Sequence, residues 1–200
     1  MRVCRIDLPA SAVRSYTLPH PKGPPVDHPL SDSDVRRPLA PNAWRNLNAA
    51  LEAWFRGHHE IWSQAHRLAE GIFDLIRWLD PFFERYERES YPLCADPCCA
   101  ARQVFFDRAD LLFFHALPTA VPDAQTRALE NQPCRYLTPR GCALPRFTRP
   151  HVCNWFLCDL QYRCFTREPA TIQRAFTGHL EALRHHRLRL SLLYDPRTPF

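Results

Sequence analysis

Thiols are the groups in this chain best suited to chemistry. Eight of its nine cysteines fall between positions 94 and 164: Cys94, Cys98, Cys99, Cys134, Cys142, Cys153, Cys158 and Cys164. A thiolate is a strong ligand for zinc, iron and iron–sulfur clusters. Two sulfurs from one loop turn toward one ion without strain when two to four residues separate them, as in the Cys94/Cys98 and Cys153/Cys158 pairs. The adjacent Cys98 and Cys99 differ, because neighbouring side chains in extended backbone point apart. They suit opposite sides of a cluster, or two separate metals. A zinc ion and a [4Fe–4S] cluster each take four thiolates, so eight cysteines hold two centres or one centre with spare thiols; spacing alone leaves both open. Adjacent cysteines and surplus thiols favour iron over a single four-cysteine zinc ion. His115 and His151 are the histidines placed to ligate or to support ligands, and Cys4, isolated from the cluster, reads as a surface thiol without a role.

The elements that must carry these thiols are helical. From Asn42 the residues Trp44, Leu47, Leu51, Trp54, His58, Ile61, Ala65, Leu68, Ile72, Leu75 and Leu79 recur at steps of three and four, the stripe of an amphipathic helix. Asn42 reads as its N-cap and Pro81 as its stop. An unbroken helix of that span is about 60 Å long, and Gly57-His58-His59 is the one break that would make it two helices. Residues 82–91 read as a separate short amphipathic helix delivering the first cysteines. Val104-Phe105-Phe106 reads as extended, Asp107 as the cap of a helix ending before Pro118, and 120–133 as loop with room for one helical turn. Prolines 133, 139, 145 and 150 rule out regular helix through the main cysteine stretch. Pro169 opens and Pro196 closes a last helix with Ile172, Phe176, Leu180, Leu183, Leu190 and Tyr194 on one face. That face is the natural antiparallel partner of the first stripe; a coiled-coil dimer is the rarer alternative. The expected fold is mostly α, a small helical domain with an irregular cysteine-rich metal-binding subdomain at one end.

Composition sets the limits. Residues 1–41 hold eight of the twenty prolines and no apolar periodicity, so they read as an extended, proline-rich arm, with the helical metal-binding domain at 42–200 and its cysteine cluster at 94–164. The first residues lack the apolar run of a secretion signal, and no stretch is apolar enough to span a membrane. A cytoplasmic protein is expected, and clustered cysteines there point to metal rather than to disulfides. The formal charge of +5 rests on arginine, since Lys22 is the only lysine. The arginines are spread along the chain and do not alternate with aromatics on one face, so nucleic acid is not an expected partner. Arg184, His185, His186, Arg187 and Arg189 read as a solvated helix face. Anionic thiolates also favour guanidinium neighbours.

The order Cys94…Cys98-Cys99, Pro133-Cys134…Gly141-Cys142 and Arg149-Pro150-His151-Val152-Cys153-Asn154-Trp155-Phe156-Leu157-Cys158 resembles the YkgJ-type cysteine-cluster proteins. These are described as zinc- or iron-chelating domains similar to the cysteine-rich part of flagellin lysine N-methylase. The resemblance covers residues 94–158, about a third of the chain, and is most specific at Arg-Pro-x2-Cys-x4-Cys. It implies ligand roles for Cys94, Cys98, Cys99, Cys134, Cys142, Cys153 and Cys158, an acidic helix start at Asp107 or Asp110, and a supporting role for Arg149. The first group has one cysteine fewer than the family pattern, and Cys164 is the candidate to replace it.

Enzyme motifs are missing. The five glycines are scattered, which excludes a dinucleotide fingerprint and a P-loop, and neither Glu-x-x-His, His-Glu-x-x-His nor Gly-x-Ser-x-Gly occurs. The expectation is a metal-binding protein rather than an enzyme. It would hold an iron–sulfur cluster or iron, alternatively zinc, for electron transfer or for assembly with a protein partner met through the arm or the long helix. A structural zinc module of a larger complex and a cluster-dependent methyltransferase relative are the competing readings. Oligomeric state is not encoded in any pattern found.

Overall fold

The computed structural model describes residues 35–94, 97–101 and 104–194, with the backbone alone at 98 and 101. Cys4, the Cys98 side chain, Pro196 and the arm up to residue 34 lie outside the described residues.

The first stripe forms two helices, α1 (Pro41–Gly57) and α2 (His59–Ser90). Helix α1 begins one residue before the expected cap. Pro41 occupies the first turn, where its missing N–H costs nothing and its fixed φ already suits a helix. Ala40 is the cap residue, and Asn42 instead accepts a hydrogen bond from Arg45 within that turn. The chain breaks at His58, whose φ of −130° and ψ of 63° leave the helical region, so Gly57-His58-His59 is a junction between two helices.

Pro81 does not stop α2, and the short helix expected over 82–91 is its continuation. An interior proline removes one backbone hydrogen bond and crowds the preceding turn, at a cost of about 3 kcal/mol. The buried stripe outweighs that cost: Ile61, Ala65, Ala69, Ile72, Ile76, Leu79, Phe83, Tyr86 and Ser90 keep their three- and four-residue steps straight past the proline. The ring itself sits on the exposed side.

After a 3-10 turn at Tyr91–Leu93 come the four-residue α3 (Cys98–Ala101) and α4 (Arg108–Ala116). Helix α4 starts as expected, with a reciprocal cap in which the Asp107 carboxylate accepts from the Asp110 N–H and the Asp110 carboxylate from the Asp107 N–H. The segment 104–106 forms no strand. Buried Gln125 takes the place of a strand partner: its Oε1 accepts from the Phe106 N–H at 2.8 Å, and its Nε2 donates to the carbonyls of Phe106 and of Val35. Val35 and Leu39 are themselves buried, so the end of the proline-rich stretch belongs to the packed body.

The cysteine stretch is irregular, as the prolines require. It holds a minimal antiparallel hairpin, β1 (Leu137–Thr138) with β2 (Gly141–Cys142), in which Leu137 faces Cys142 and Thr138 faces Gly141. Gly141 has φ of +109°, a conformation that favours glycine. Two 3-10 turns follow, Arg146–Thr148 and His151–Asn154, and then α5 (Asp159–Phe165), which the sequence patterns did not suggest. The last helix, α6 (Ala170–Leu193), starts directly after Pro169.

Helices α2 and α6 run antiparallel: His186 lies against Gly71, His179 stacks on Trp78 at 3.8 Å, and Phe176 packs beside Phe83 and Tyr86. Helix α4 packs against α1, α2 and α6, and the core they share includes Trp44, Leu51, Ile72, Phe106, Leu111, Phe114, Leu183 and Leu190. Within the described residues no helix is long and apolar enough to cross a membrane.

Replacing Pro81 by alanine restores a hydrogen-bond donor and removes the ring from an exposed helix interior. The P81A variant is expected to raise stability by about 1–3 kcal/mol in urea or thermal unfolding. A loss of stability would show that α2 needs its proline.

Candidate metal centre

Two arginines of the loop between the hairpin and α5 bolt it to α2. Arg146, only 3% exposed, donates from Nε to Asp80 Oδ1 at 3.1 Å, from Nη2 to Glu87 Oε1 at 2.6 Å and from Nη1 to the carbonyl of Cys153 at 2.9 Å. Its guanidinium also lies 4.5 Å from the centre of the Phe83 ring. Arg149 donates to both Glu87 oxygens, at 2.8 and 3.1 Å, and to the Leu144 carbonyl. Asp80 and Glu87 are two turns apart on α2, so each faces the same loop. The Tyr91 hydroxyl, just past α2, donates to the Thr138 carbonyl and ties down the hairpin.

A third arginine fixes the other side. Arg187 of α6 is buried, and its two terminal nitrogens donate to Asp110 and Asp107, each at 2.7 Å. Asp110 also accepts from the His151 N–H at 3.2 Å, so α4, α6 and the Cys153 turn meet at one ion cluster. The basic group on α6 is therefore not all solvated face: Arg184, His185 and Arg189 are exposed, His186 is half-buried and Arg187 is in the core. Its position three and four residues from Leu190 and Leu183, on the apolar stripe, is the signal in the sequence.

Burial shapes the ionisation of this cluster. It pushes the Asp110 carboxyl up to about 7 against the pull of Arg187. Asp107 bears the same penalty, yet ends below its ordinary value because Arg187 and the Asp110 N–H favour its charge. The His151 imidazole is driven down to about 3, first by burial and then by Arg187, with Asp107 opposing. At neutral pH His151 is an uncharged ring.

The cysteines divide into two neighbourhoods. In the first, the Cys134 N–H donates to the Cys99 carbonyl at 2.9 Å. Burial raises the Cys134 thiol, and the charge of Cys142 across the hairpin raises it further, while Arg127 and Arg135 pull it down. Arg149, between Glu87 and the Cys142 and Cys153 segments, holds its proton more tightly despite burial, chiefly through Glu87. This neighbourhood involves cysteines of three chain segments: Cys99 on α3, which meets Cys134 through its backbone, Cys134 and Cys142 around the hairpin, and Cys153 on a 3-10 turn.

The second neighbourhood is on α5. Cys158 is the cap residue of the helix, and Gln161 Oε1 accepts from its N–H at 3.2 Å. Cys164 is buried, and its thiol lies 3.4 Å from Glu89 Oε2 and from the Leu160 carbonyl, two acceptors. Burial and Glu89 both favour its protonated form, and its sulfur neighbour is Cys158. Cys94 lies directly after the turn that ends α2.

The donor chemistry of the first neighbourhood fits a thiolate-bound metal: soft sulfurs, guanidinium groups acting on them, and, beside Cys153, a buried Asn154 whose Oδ1 meets no donor among the described residues. Among the described residues no three Cys, His, Asp or Glu side chains converge as a finished ligand set. No disulfide links any two of the seven described cysteines. Of the two histidines singled out, His151 packs into the ion cluster, and His115 Nε2 pairs with Asn48 Oδ1 at 2.9 Å. An open groove of about 460 Å³ between α2 and α6, lined in part by Asp74, Trp78, His179 and His186, contains no cysteine.

No protein-family model, curated protein or solved structure matches this chain.

The His151 shift makes stability depend on pH. Its folded pKa lies below the unfolded value of 6.5, so the stability it contributes is present above about pH 6.5 and is lost as the pH falls toward the folded value. Wild-type protein is expected to lose about 3 kcal/mol more than H151Q between pH 7 and pH 4, measured by urea unfolding at each pH. Parallel pH profiles would place the ring in water.

Proposed function

We propose that this chain is a metal-binding protein related to the YkgJ-type cysteine-cluster family. In this reading Cys99, Cys134, Cys142 and Cys153 form the heart of the site, with Cys94, Cys98 and Cys158 as the further candidate ligands at its edges. Cys164, whose thiol faces Glu89, is the candidate least suited to the same centre. Iron, as a cluster or as a multinuclear centre, is the favoured metal because of the adjacent Cys98 and Cys99 and the surplus of sulfur; zinc is the alternative. A bound iron centre would supply one-electron chemistry, and zinc would supply a structural cross-link.

The observation that supports this reading most is that the Cys134 N–H meets the Cys99 carbonyl at 2.9 Å, Cys142 stands on the hairpin strand facing Leu137, and the Cys153 carbonyl is held by buried Arg146, so cysteines of three chain segments belong to one braced region. Such sulfurs gain from a shared cation, and a guanidinium beside them offsets the negative charge of a thiolate set. The chain's own contribution would be rigidity. Arg146 and Arg149 hold the loop on α2, and the Arg187 cluster holds its other flank. A cytoplasmic setting and delivery of the centre's electrons or metal to a protein partner complete the proposal.

Replacing Cys134 and Cys153 together by alanine tests it. The C134A/C153A variant, purified without oxygen, is expected to lose most of its bound iron or zinc and to unfold at lower temperature. Unchanged metal content and unchanged unfolding would refute the reading.

A further inference from the structure

Arg127 belongs to no motif in the sequence, yet it is only 2% exposed. It sits where two cysteine segments meet. Helix α3 has four residues, too few to stand alone, and its last carbonyls need donors from elsewhere. Arg127 Nη2 donates to the carbonyls of Cys99 at 3.3 Å and Ala100 at 3.5 Å. Its Nη1 donates to the carbonyls of Glu130, at 3.3 Å, and of Gln132, on the loop leading to Cys134. One planar guanidinium therefore bridges the Cys99 segment and the approach to Cys134, a fork that an ammonium cannot reproduce. The bridge is continued by the Cys134 N–H on the Cys99 carbonyl, at 2.9 Å, and by the Arg135 N–H on the Thr126 carbonyl, at 2.8 Å. Thr126 is in turn anchored by its hydroxyl on the Val104 carbonyl.

We propose that Arg127 is the positioning residue that sets Cys99 and Cys134 side by side as a ligand couple and supplies positive charge next to them. The inference rests on the metal-binding reading above. Without the fork, the Ala100 carbonyl loses its Arg127 donor and the Cys99 carbonyl keeps only the Cys134 N–H, so Cys99 is held to Cys134 by one backbone bond in place of a braced pair. With it, two ligands from distant stretches of chain arrive already paired, and less ordering is left for metal binding to drive.

The test is a titration of the reduced, metal-free full chain with cobalt(II), read from the thiolate-to-cobalt absorption band, alongside helical circular dichroism and a thermal unfolding midpoint. Wild type, R127M, R127K and the core control I72V are compared. The expected result is cobalt affinity about 10- to 100-fold weaker in R127M, the range seen when residues supporting metal ligands are removed, with helix content unchanged. I72V is expected to lower the midpoint while keeping wild-type affinity. Should R127M not fold, R127K retains the charge but not the fork and must still bind several-fold more weakly. Equal affinity in wild type and R127K, or in wild type and a folded R127M, would overturn the role of Arg127 while leaving the metal reading intact. Absence of the band in wild type would overturn both.

Discussion

Buried guanidinium groups are the constraint on which the rest of the architecture depends. The cysteine stretch has little regular structure of its own: a two-residue hairpin, two short 3-10 turns and many prolines. Such a segment makes few backbone hydrogen bonds internally, and its conformation has to be imposed from outside. Arg146 does this most completely, meeting Asp80, Glu87 and the Cys153 carbonyl at once over the face of Phe83. A buried arginine is stable only when its donors and charge are satisfied, and breaking such a network costs about 3–5 kcal/mol. The loop therefore adopts the one arrangement in which Arg146 and Arg149 share Glu87.

The helices serve the same end. Helix α2 runs through Pro81 because its apolar stripe continues to Tyr86 and Ser90, and that continuation brings Glu87 and Tyr91 alongside the loop. A helix ending at Pro81 would leave both arginines without Glu87. On the opposite flank, Arg187 joins α6 to the capped start of α4, and Asp110 reaches on to His151. The capping box thus has two tasks, starting a helix and receiving a buried cation. Burial penalises both carboxylates; Arg187 and the Asp110 N–H bring Asp107 below its ordinary value, and Asp110, more deeply buried and beside the Asp107 charge, stays raised.

Much of the scaffold is written in local pattern. The three- and four-residue steps of α1, α2 and α6, the break at His58, the cap at Asp107, the glycine turn at Gly141 and the start at Pro169 each follow from a short-range rule. Pro81 misleads because a local propensity is overridden by burial on the far side of the helix, although Leu79, Phe83 and Tyr86 carry the stripe past it. Helix α5 is hidden because its cap residue is a cysteine, a type that does not signal a helix start, and the bond that marks the cap runs from the Cys158 N–H to the Gln161 side chain. Cysteine types and spacings are legible too. Their grouping is not, since the separation of Cys158 and Cys164 from Cys134 and Cys142 depends on tertiary packing. The braces are the least legible part. Asp80, Glu87, Arg127 and Arg146 look like solvated charges until distant elements fold over them, and only Arg187, sitting on an apolar stripe, betrays its burial in the sequence.

The central claim is that thiols from separate segments are held together to bind a metal. Its most direct test is the iron, zinc and acid-labile sulfide content per chain, with an absorption spectrum, of wild-type protein purified without oxygen. The account predicts bound metal close to stoichiometric with the chain, either iron with sulfide and a brown colour or zinc without sulfide. Protein that carries neither metal, with the Cys134, Cys142 and Cys153 thiols all reacting freely with a thiol reagent, would contradict it.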